Sequence, residues 1–381
     1  MEAYPPGGVR TWIEVAGSAL QSNYQTFRKL IGQNCLLMAV AKSNAYGHDF
    51  LQFSKEMERL GADFIGVDSI TEALRLRKEG IKSRLLVLGY TLPELYRQTQ
   101  DDDISLTISS LASLRMLGGP HPSGQNTKLK IHLKVDTGMH RQGFYPQEAA
   151  QVFEAARKLP HIEIEGLYTH FADAGNMAAP ENTRRQLDEF HKVCRLAEQE
   201  GLKPIRHAAA TAATVLFPET HLDMVRIGLG LYGLWPWQKP ENHPSQGIEL
   251  QPALSWRAII SEVKKVPAGA KVGYDFTEAL ARDSTLAVIP IGYWHGFRRN
   301  LSSVAHILVH GQRAKVVGRV SMDMVVINVT DIAGVEMGDI ATIIGKDGDE
   351  EITACEMAEL SHTSPYETIT CLNPQMRKIY I

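Results

Sequence analysis

CLLMAVAKSNAYGHDFLQFSKEMERLGADFIGV, residues 35–67, carries the pattern that sets the architecture. An apolar run over 35–41 gives way to a polar break. An amphipathic stretch follows over 50–62, then a second apolar run over 63–67. Strands apolar on both faces belong in parallel sheets, and a helix joining two of them makes a βαβ unit. The alternation continues outward. Further runs are RLLVLG (84–89), ISLTIS (104–109), KLKIHLKV (128–135), IEIEGLYT (162–169), PIRHAA (204–209) and DMVRIG (223–228). Helical patterns over 69–80, 146–160 and 184–201 separate several of them, and Gly80 and Gly201 stand where helix C-caps belong. Eight such strands fit a closed (β/α)8 TIM-like barrel, a fold of about 250 residues. An open doubly wound sheet is the alternative.

After Gly233 the texture changes. WPWQKPENHPSQG (235–247) reads as a linker. Beyond it lie strand patterns over 254–266, 284–292, 305–329 and 339–345, with turns at Gly311-Gln312 and Gly338-Asp339 and one helix over 353–362. The expected division is a barrel over 1–247 and a smaller, mostly-β domain over 248–381.

Composition narrows the function. The chain has 381 residues, 43 acidic and 40 basic, with a formal net charge of −3; 44% are hydrophobic and 22% charged. That balance is ordinary for a folded protein and excludes wholesale disorder. Without a basic block, nucleic acid is not the expected partner. Apolar runs such as LAVIPIGYW (286–294) fall short of the roughly 20 residues that span a bilayer. The start, MEAYPPGGVRTW, lacks a signal-peptide pattern, and Pro5-Pro6-Gly7-Gly8 could mark a junction with a preceding segment. Four cysteines (35, 194, 355 and 371), none in a CxxC pair, read as small buried hydrophobes in a reducing cytoplasm, with no metal site.

Barrel enzymes carry reactive groups at the C-terminal ends of their strands. The first run ends in Lys42, within AKSNAYGH (41–48). An unpaired buried ammonium is costly, and Schiff-base chemistry uses the neutral amine; the bland alternative is a lysine that snorkels to water. The fifth run ends in Lys134, which alternates with His132 and Asp136 on one strand face. Arg141 follows and suits an anion. His170 closes the sixth run. Gly228, Gly230 and Gly233 match GxGxxG after a strand, but a Pro-rich stretch follows where a dinucleotide fold needs a helix. Glycines after strand eight, with Thr211 after strand seven, fit the barrel's phosphate site instead. Tyr274 and Tyr293, in candidate loops of the second domain, read from composition as core residues.

Together, AKSNAYGH, HLKVDTGMHRQGF (132–144), EGLYTHFADA (165–174), RIGLGLYG (226–233), VGYDFTE (272–278), PIGYWHGF (290–297), GRVSMD (318–323) and SPYE (364–367) resemble the bacterial alanine racemases, in the same order and over nearly the whole chain. The resemblance implies a pyridoxal 5'-phosphate (PLP) enzyme with Lys42 bonded to the cofactor. Tyr46, Thr211, the backbone of Gly228 and Leu229, and Tyr366 would bind the phosphate. His170 would stack near the pyridine ring, Arg226 would face its nitrogen, and Arg141 would contact the phenolic oxygen and the substrate carboxylate. Lys134 matches a lysine often carbamylated in the family, and Asp323 a supporting residue. Tyr274, Tyr293 and Met322 match groups supplied by the partner subunit, so the resemblance implies a homodimer with shared sites. The implied activity interconverts L- and D-alanine, and possible L- and D-serine, for peptidoglycan precursors, with Lys42 and Tyr274 as the two bases.

Some blocks depart from the family. His207-Ala208-Ala209-Ala210-Thr211 stands where His-Ala-Ala-Asn-Ser is usual, Tyr293-Trp294-His295-Gly296 where Tyr-Ala-Asp-Gly is usual, and Ser321-Met322-Asp323 where Cys-Met-Asp is usual. Asn373-Pro374-Gln375-Met376-Arg377-Lys378 replaces Ser-x-Arg-Val-Pro-Arg. These departures resemble the serine/alanine racemases of vancomycin resistance, in which such a module is the cytoplasmic end of a membrane protein. The alternatives are therefore a serine racemase of that type, a PLP-barrel decarboxylase and a non-enzymatic PLP-binding barrel. The decarboxylase would need a cysteine-bearing loop that the candidate loops lack. The single-barrel protein would lack residues 248–381.

Overall fold

The computed structural model describes residues 8–118, 128–236 and 247–381. Most of the linker read over 235–247, and Pro5 to Gly7, lie outside the described residues. The chain divides into two units. One comprises residues 21–45 and 50–251, the other residues 1–20, 46–49 and 252–381.

The first unit is a parallel eight-stranded sheet, with strands β2 (Leu36–Val40), β3 (Phe64–Val67), β4 (Arg84–Val87), β5 (Ile104–Ile108), β6 (Leu129–Lys134), β7 (Ile162–Tyr168), β8 (Ile205–His207) and β9 (Met224–Ile227). Neighbours in sequence are neighbours in space from β2 to β8, and β9 pairs with β2. A bridge between Ala210 and Arg226, with Arg226 N donating to Ala209 O, brings β9 beside β8 and rounds the sheet into a barrel. Each apolar run identified in the sequence is one of these strands. Met38, Phe64, Leu86 and Met224 form a buried cluster. Burying each such side chain contributes roughly 1.5–3 kcal/mol.

Helix placement follows the apolar spacing. The helix Phe50–Leu60 buries Phe50, Phe53, Ser54 and Met57, one face of a 3.6-residue period. The helix Ile70–Lys78 starts at Ser69, whose side chain accepts from Glu72 N. Gly80 (φ 91°) and Gly201 (φ 75°) end their helices in the left-handed conformation, as expected of C-cap glycines.

The second unit is built on a mixed sheet. Its strands include β10 (Leu254–Ile259), β11 (Glu262–Val266), β14 (Ser284–Ile289), β15 (His306–Val309), β16 (Gln312–Val316), β17 (Val325–Asn328) and β18 (Ile340–Asp347). A short ribbon pairs β12 (Lys271–Val272) with β13 (Glu278–Ala279), and β19 (Glu350–Ile352) pairs with β18. The first strand, β1 (Thr11–Val15), also belongs here. It lies between β10, to which it is antiparallel, and the last strand β20 (Arg377–Tyr380), to which it is parallel. Thus β1, on the barrel side of the division expected at residue 248, pairs with strands from the other side of it. Sequence proximity suggested the barrel, whereas the backbone partners of β1 lie about 240 residues downstream in β10 and about 365 downstream in β20. Among the described residues no helix is long and apolar enough to cross a membrane.

Candidate active site

Lys42 follows β2 after one intervening residue, Ala41. The next four residues, Ser43, Asn44, Ala45 and Tyr46, have φ of 56°, 56°, 48° and 53° and form a turn of left-handed helix. Each L-residue in that conformation costs roughly 1–2 kcal/mol, so the turn must be held in place. Ala45 N donates to Ala41 O at 2.8 Å. The Glu72 carboxylate accepts from Ser43 N at 3.1 Å and from Asp68 N at 2.7 Å. Asn44 Oδ1 accepts from Phe50 N at 3.2 Å. Lys42 Nζ lies 3.9 Å from Asp68 Oδ1. Backbone strain beside a nucleophilic lysine is the kind that persists at functional sites.

Three further cations gather at strand ends. Lys134, the last residue of β6, is 6% exposed. Its Nζ donates to Gln142 Oε1 at 2.9 Å. Burial, reinforced by Arg226, Arg141 and Lys42, pulls its pKa down to about 8. Arg226, on β9, is pulled down to about 10 by burial and remains a cation at neutral pH. Its guanidinium donates to Thr169 O at 2.8 Å, to Ala208 O at 3.0 Å, and to His170 Nδ1 and His207 Nδ1 at 3.0 Å each. Burial, together with Arg226, Arg141, Lys134 and Lys42, holds His170 well below the usual histidine range, so its imidazole is neutral. Lys42, Lys134, Arg141 and Arg226 thus lie within electrostatic reach of one imidazole. This donor set suits an anionic ligand with several acceptor oxygens, and PLP with an amino-acid carboxylate meets that description.

Thr211 opens the short helix Thr211–Leu216, and its hydroxyl accepts from Gly230 N at 3.3 Å. A 3-10 turn over Leu229–Tyr232 follows Gly228, where a dinucleotide fold would place a long helix. The leading amides of such a turn have no partner inside it, which suits phosphate. Gly230 is required by packing, because a Cβ there would sit 2.4 Å from the Phe27 ring.

Beneath Arg226, on the barrel side, lies a buried polar chain. His207 Nε2 meets His132 Nδ1 at 2.9 Å, and His132 Nε2 meets Glu165 Oε2 at 2.9 Å. Arg84 donates to Glu165 Oε1 at 2.7 Å, and Ser105 to Oε2 at 2.5 Å. Burial raises the Glu165 pKa, but these donors outweigh it and hold the carboxyl at about 2. A folded-state value below the unfolded one adds stability above the unfolded value, near pH 4.5, and that stability is lost as pH falls toward 2. Acid unfolding should therefore be less steep in Glu165→Gln than in the parent over that window. Parallel slopes in urea melts taken at successive pH values would refute this.

The remaining candidates lie in the second unit. The Tyr46 and Tyr366 rings are 6.1 Å apart, and burial raises both phenols, Tyr366 to about 12. Tyr293 N and Trp294 N donate to Ser321 O and Met322 O, each at 3.1 Å, zipping two candidate loops together. Asp323 Oδ1 is 4.0 Å from His295 Nδ1. Tyr274 sits in a 3-10 turn pinned by the Arg319–Asp275 ion pair at 3.2 Å. Tyr274 is 67% exposed and Tyr293 45%, so neither is the core residue that composition suggests. Met322 is exposed as well. Of the cysteines, all free, Cys35 and Cys194 are buried as expected, but Cys371 is exposed.

The structure brings Lys42, Lys134, Arg141, His170, Thr211, Arg226, Gly228 and Leu229 to the C-terminal ends of the barrel strands. Tyr46 and Tyr366 form a pair in the second unit, and Tyr293 and Met322 share a loop cluster there. Tyr274 lies in its own 3-10 turn, Tyr274–Phe276, in the second unit. Sequence reasoning missed Glu72, Asp68 and Glu165. The last left only a weak trace, a second glutamate followed by glycine where IEIEGLY turns apolar.

Residues 15–236 match the family model for the alanine racemase N-terminal domain, and residues 253–380 that for the alanine racemase C-terminal domain. The chain is 40% identical over 375 residues to the alanine racemase of Methanococcus maripaludis, covering 97% of this chain and 98% of that protein. It is 36% identical over 372 residues to alanine racemase 1 of Oceanobacillus iheyensis, with 97% and 98% covered. Among solved structures, the alanine racemase of E. faecalis superposes with a TM-score of 0.92 at 30% identity over 100% of both chains. That of Bacillus anthracis with bound L-Ala-P gives 0.91 at 32% identity, over 99% of this chain and 96% of that one.

Proposed function

This chain belongs to the alanine racemase family of PLP-dependent isomerases, and we propose that it interconverts L- and D-alanine with Lys42 and Tyr274 as its two proton-handling groups. The observation that carries the site assignment is the convergence of four cations on the neutral His170, one of them, Lys42, set on a strained turn. When bound, PLP supplies the electron sink that makes the substrate Cα–H acidic.

Inverting Cα requires a proton to leave one face and another to arrive on the opposite face. Two groups on opposite sides of a planar centre meet that need. Lys42 Nζ serves one face and the Tyr274 phenol the other. Arg141 orients the substrate carboxylate. Tyr46, Thr211, Gly228, Leu229 and Tyr366 hold the phosphate. His170 would stand beside the ring, and Arg226, a donor only, would disfavour a proton on the pyridine nitrogen and so limit side reactions. The exposure of Tyr274, Tyr293 and Met322 supports a homodimer in which each chain lends these residues to the other's site, with Asp323 supporting the Met322 loop. The free cysteines support a reducing, cytoplasmic setting.

Comparison of kcat/KM for L-alanine and L-serine, each with chiral product analysis, tests the function. Alanine should be racemised faster, without loss of its carboxyl. A preference for serine, or an amine product, would displace this reading.

A pKa near 8 leaves much of Lys134 neutral at mildly alkaline pH, where an amine can attack CO2 and lose a proton to give a carbamate. That anion would turn a crowded cation into a partner for Arg141. A carbamate carbon signal should appear with 13C-bicarbonate and be absent in Lys134→Arg. A spectrum without that signal in the parent would show that Lys134 stays an amine.

A further inference from the structure

We propose that Glu165 is a positioning residue for this chemistry: as the acceptor that ends the chain through His132 and His207, it stabilises the one pair of tautomers into which Arg226 can donate, and so holds the Arg226 guanidinium in place. The inference rests on the reading that Arg226 faces the cofactor ring.

The direction of the buried chain follows from what each group can do. Arginine has no acceptor, so His207 Nδ1 must accept from Arg226 Nη1 at 3.0 Å. A neutral His207 then carries its proton on Nε2 and donates to His132 Nδ1 at 2.9 Å. His132 in turn keeps its proton on Nε2 and donates to Glu165 Oε2 at 2.9 Å. An ionised carboxylate can only accept, so it closes the chain and forbids the reverse direction, which would set a His207 N–H against an Arg226 N–H. Burial keeps both His132 and His207 neutral. Arg226 itself bonds to two carbonyls and two imidazoles, so the carboxylate reaches it through two rings.

The packing is specific to this arrangement. His132 occupies the space a side chain at Gly166 would need, its Nδ1 lying 2.0 Å from where that Cβ would be. Tyr168 stacks on His207 with centroids 4.7 Å apart and planes 7° from parallel. The charged and titratable groups facing the chain are Arg84 from β4, Lys134 from β6, Tyr168 and Glu165 from β7, His170 beyond it, and Arg226 from β9.

Glu165→Gln puts an amide NH2 where one of two acceptor oxygens stood, so that NH2 either confronts Arg84 or drives the chain in the reverse direction against Arg226. In 15N-histidine spectra of the parent holoenzyme, His132 and His207 should each carry the proton on Nε2. In the variant these signals should shift toward mixed tautomers. Its kcat should fall about tenfold with KM within about twofold, and cofactor lost to transamination per turnover should rise about tenfold. A purely structural role would lower stability and leave the tautomers and that partition unchanged, which would overturn the proposal. Should the variant fail to fold, the parent spectrum decides, because a proton on His207 Nδ1 overturns it equally. If Arg226→Lys leaves the partition untouched, the reading of Arg226 fails separately, and the histidine signals still decide the role of Glu165.

Discussion

Lys42→Ala is expected to abolish the visible absorbance of the bound cofactor and to lower racemisation by at least ~10⁴-fold, because one substitution removes both the covalent attachment and a base. The fold should survive. The Lys42 head group is partly exposed, and its ion pair with Asp68 is a loose 3.9 Å contact. The left-handed turn is held by backbone atoms and by Glu72 and Asn44, none of which the substitution touches. Near-parent circular dichroism with no absorbance band is the expected pair of readings. A variant that kept the band and turned over at the parent rate would remove Lys42 from the site.

Tyr274→Phe is expected to slow racemisation about 10²–10⁴-fold in both directions, with the cofactor band intact. The ring is two-thirds exposed, so losing its hydroxyl leaves no buried polar group unpaired. A loss in one direction alone cannot occur at equilibrium, and an unchanged rate in both would exclude the phenol from the mechanism. Mixing this variant with Lys42→Ala tests the shared site as well. A heterodimer of the two holds one site carrying both changes and one carrying neither, so random re-pairing should restore about a quarter of the parent rate. If each chain used its own Tyr274, mixing two inactive proteins would restore nothing.

The barrel was legible because a strand buried on both faces leaves a nearly continuous apolar run, and eight such runs are hard to read otherwise. Lys42, Lys134, Arg141 and His170 could be singled out as candidates because the fold puts strand ends at one rim, whereas Arg226 entered only through the family resemblance. Other features left weaker traces. TWIEV, the first strand, has partners far away in sequence, and nothing nearby marks it as part of the other unit. The left-handed turn after Lys42 carries Ser, Asn, Ala and Tyr where glycine would have signalled positive φ. Tyr274 read as core because an aromatic's default location is the interior. Its exposure becomes meaningful only with a second chain in view. Glu165 looked like one of two alternating acids in IEIEGLY, although Glu163 faces outward and Glu165 inward.

The position of β1 bears on how the chain is made. Thr11 and Arg257, whose side chain and backbone are hydrogen-bonded, lie 246 residues apart, and joining them costs roughly 5 kcal/mol of loop-closure entropy if the chain between is unstructured. A barrel already folded in that interval shortens the effective loop. Emerging from the ribosome, the first strand meets β10 only after every barrel strand has been synthesised, and β20 later still. Until then it is an unpaired apolar edge, open to pairing with the wrong chain. The barrel can form as its strands appear, whereas β1 waits for residues 254–258 and then 377–380. Speed of translation between the barrel and β20 thus sets how long a sticky strand stays uncovered.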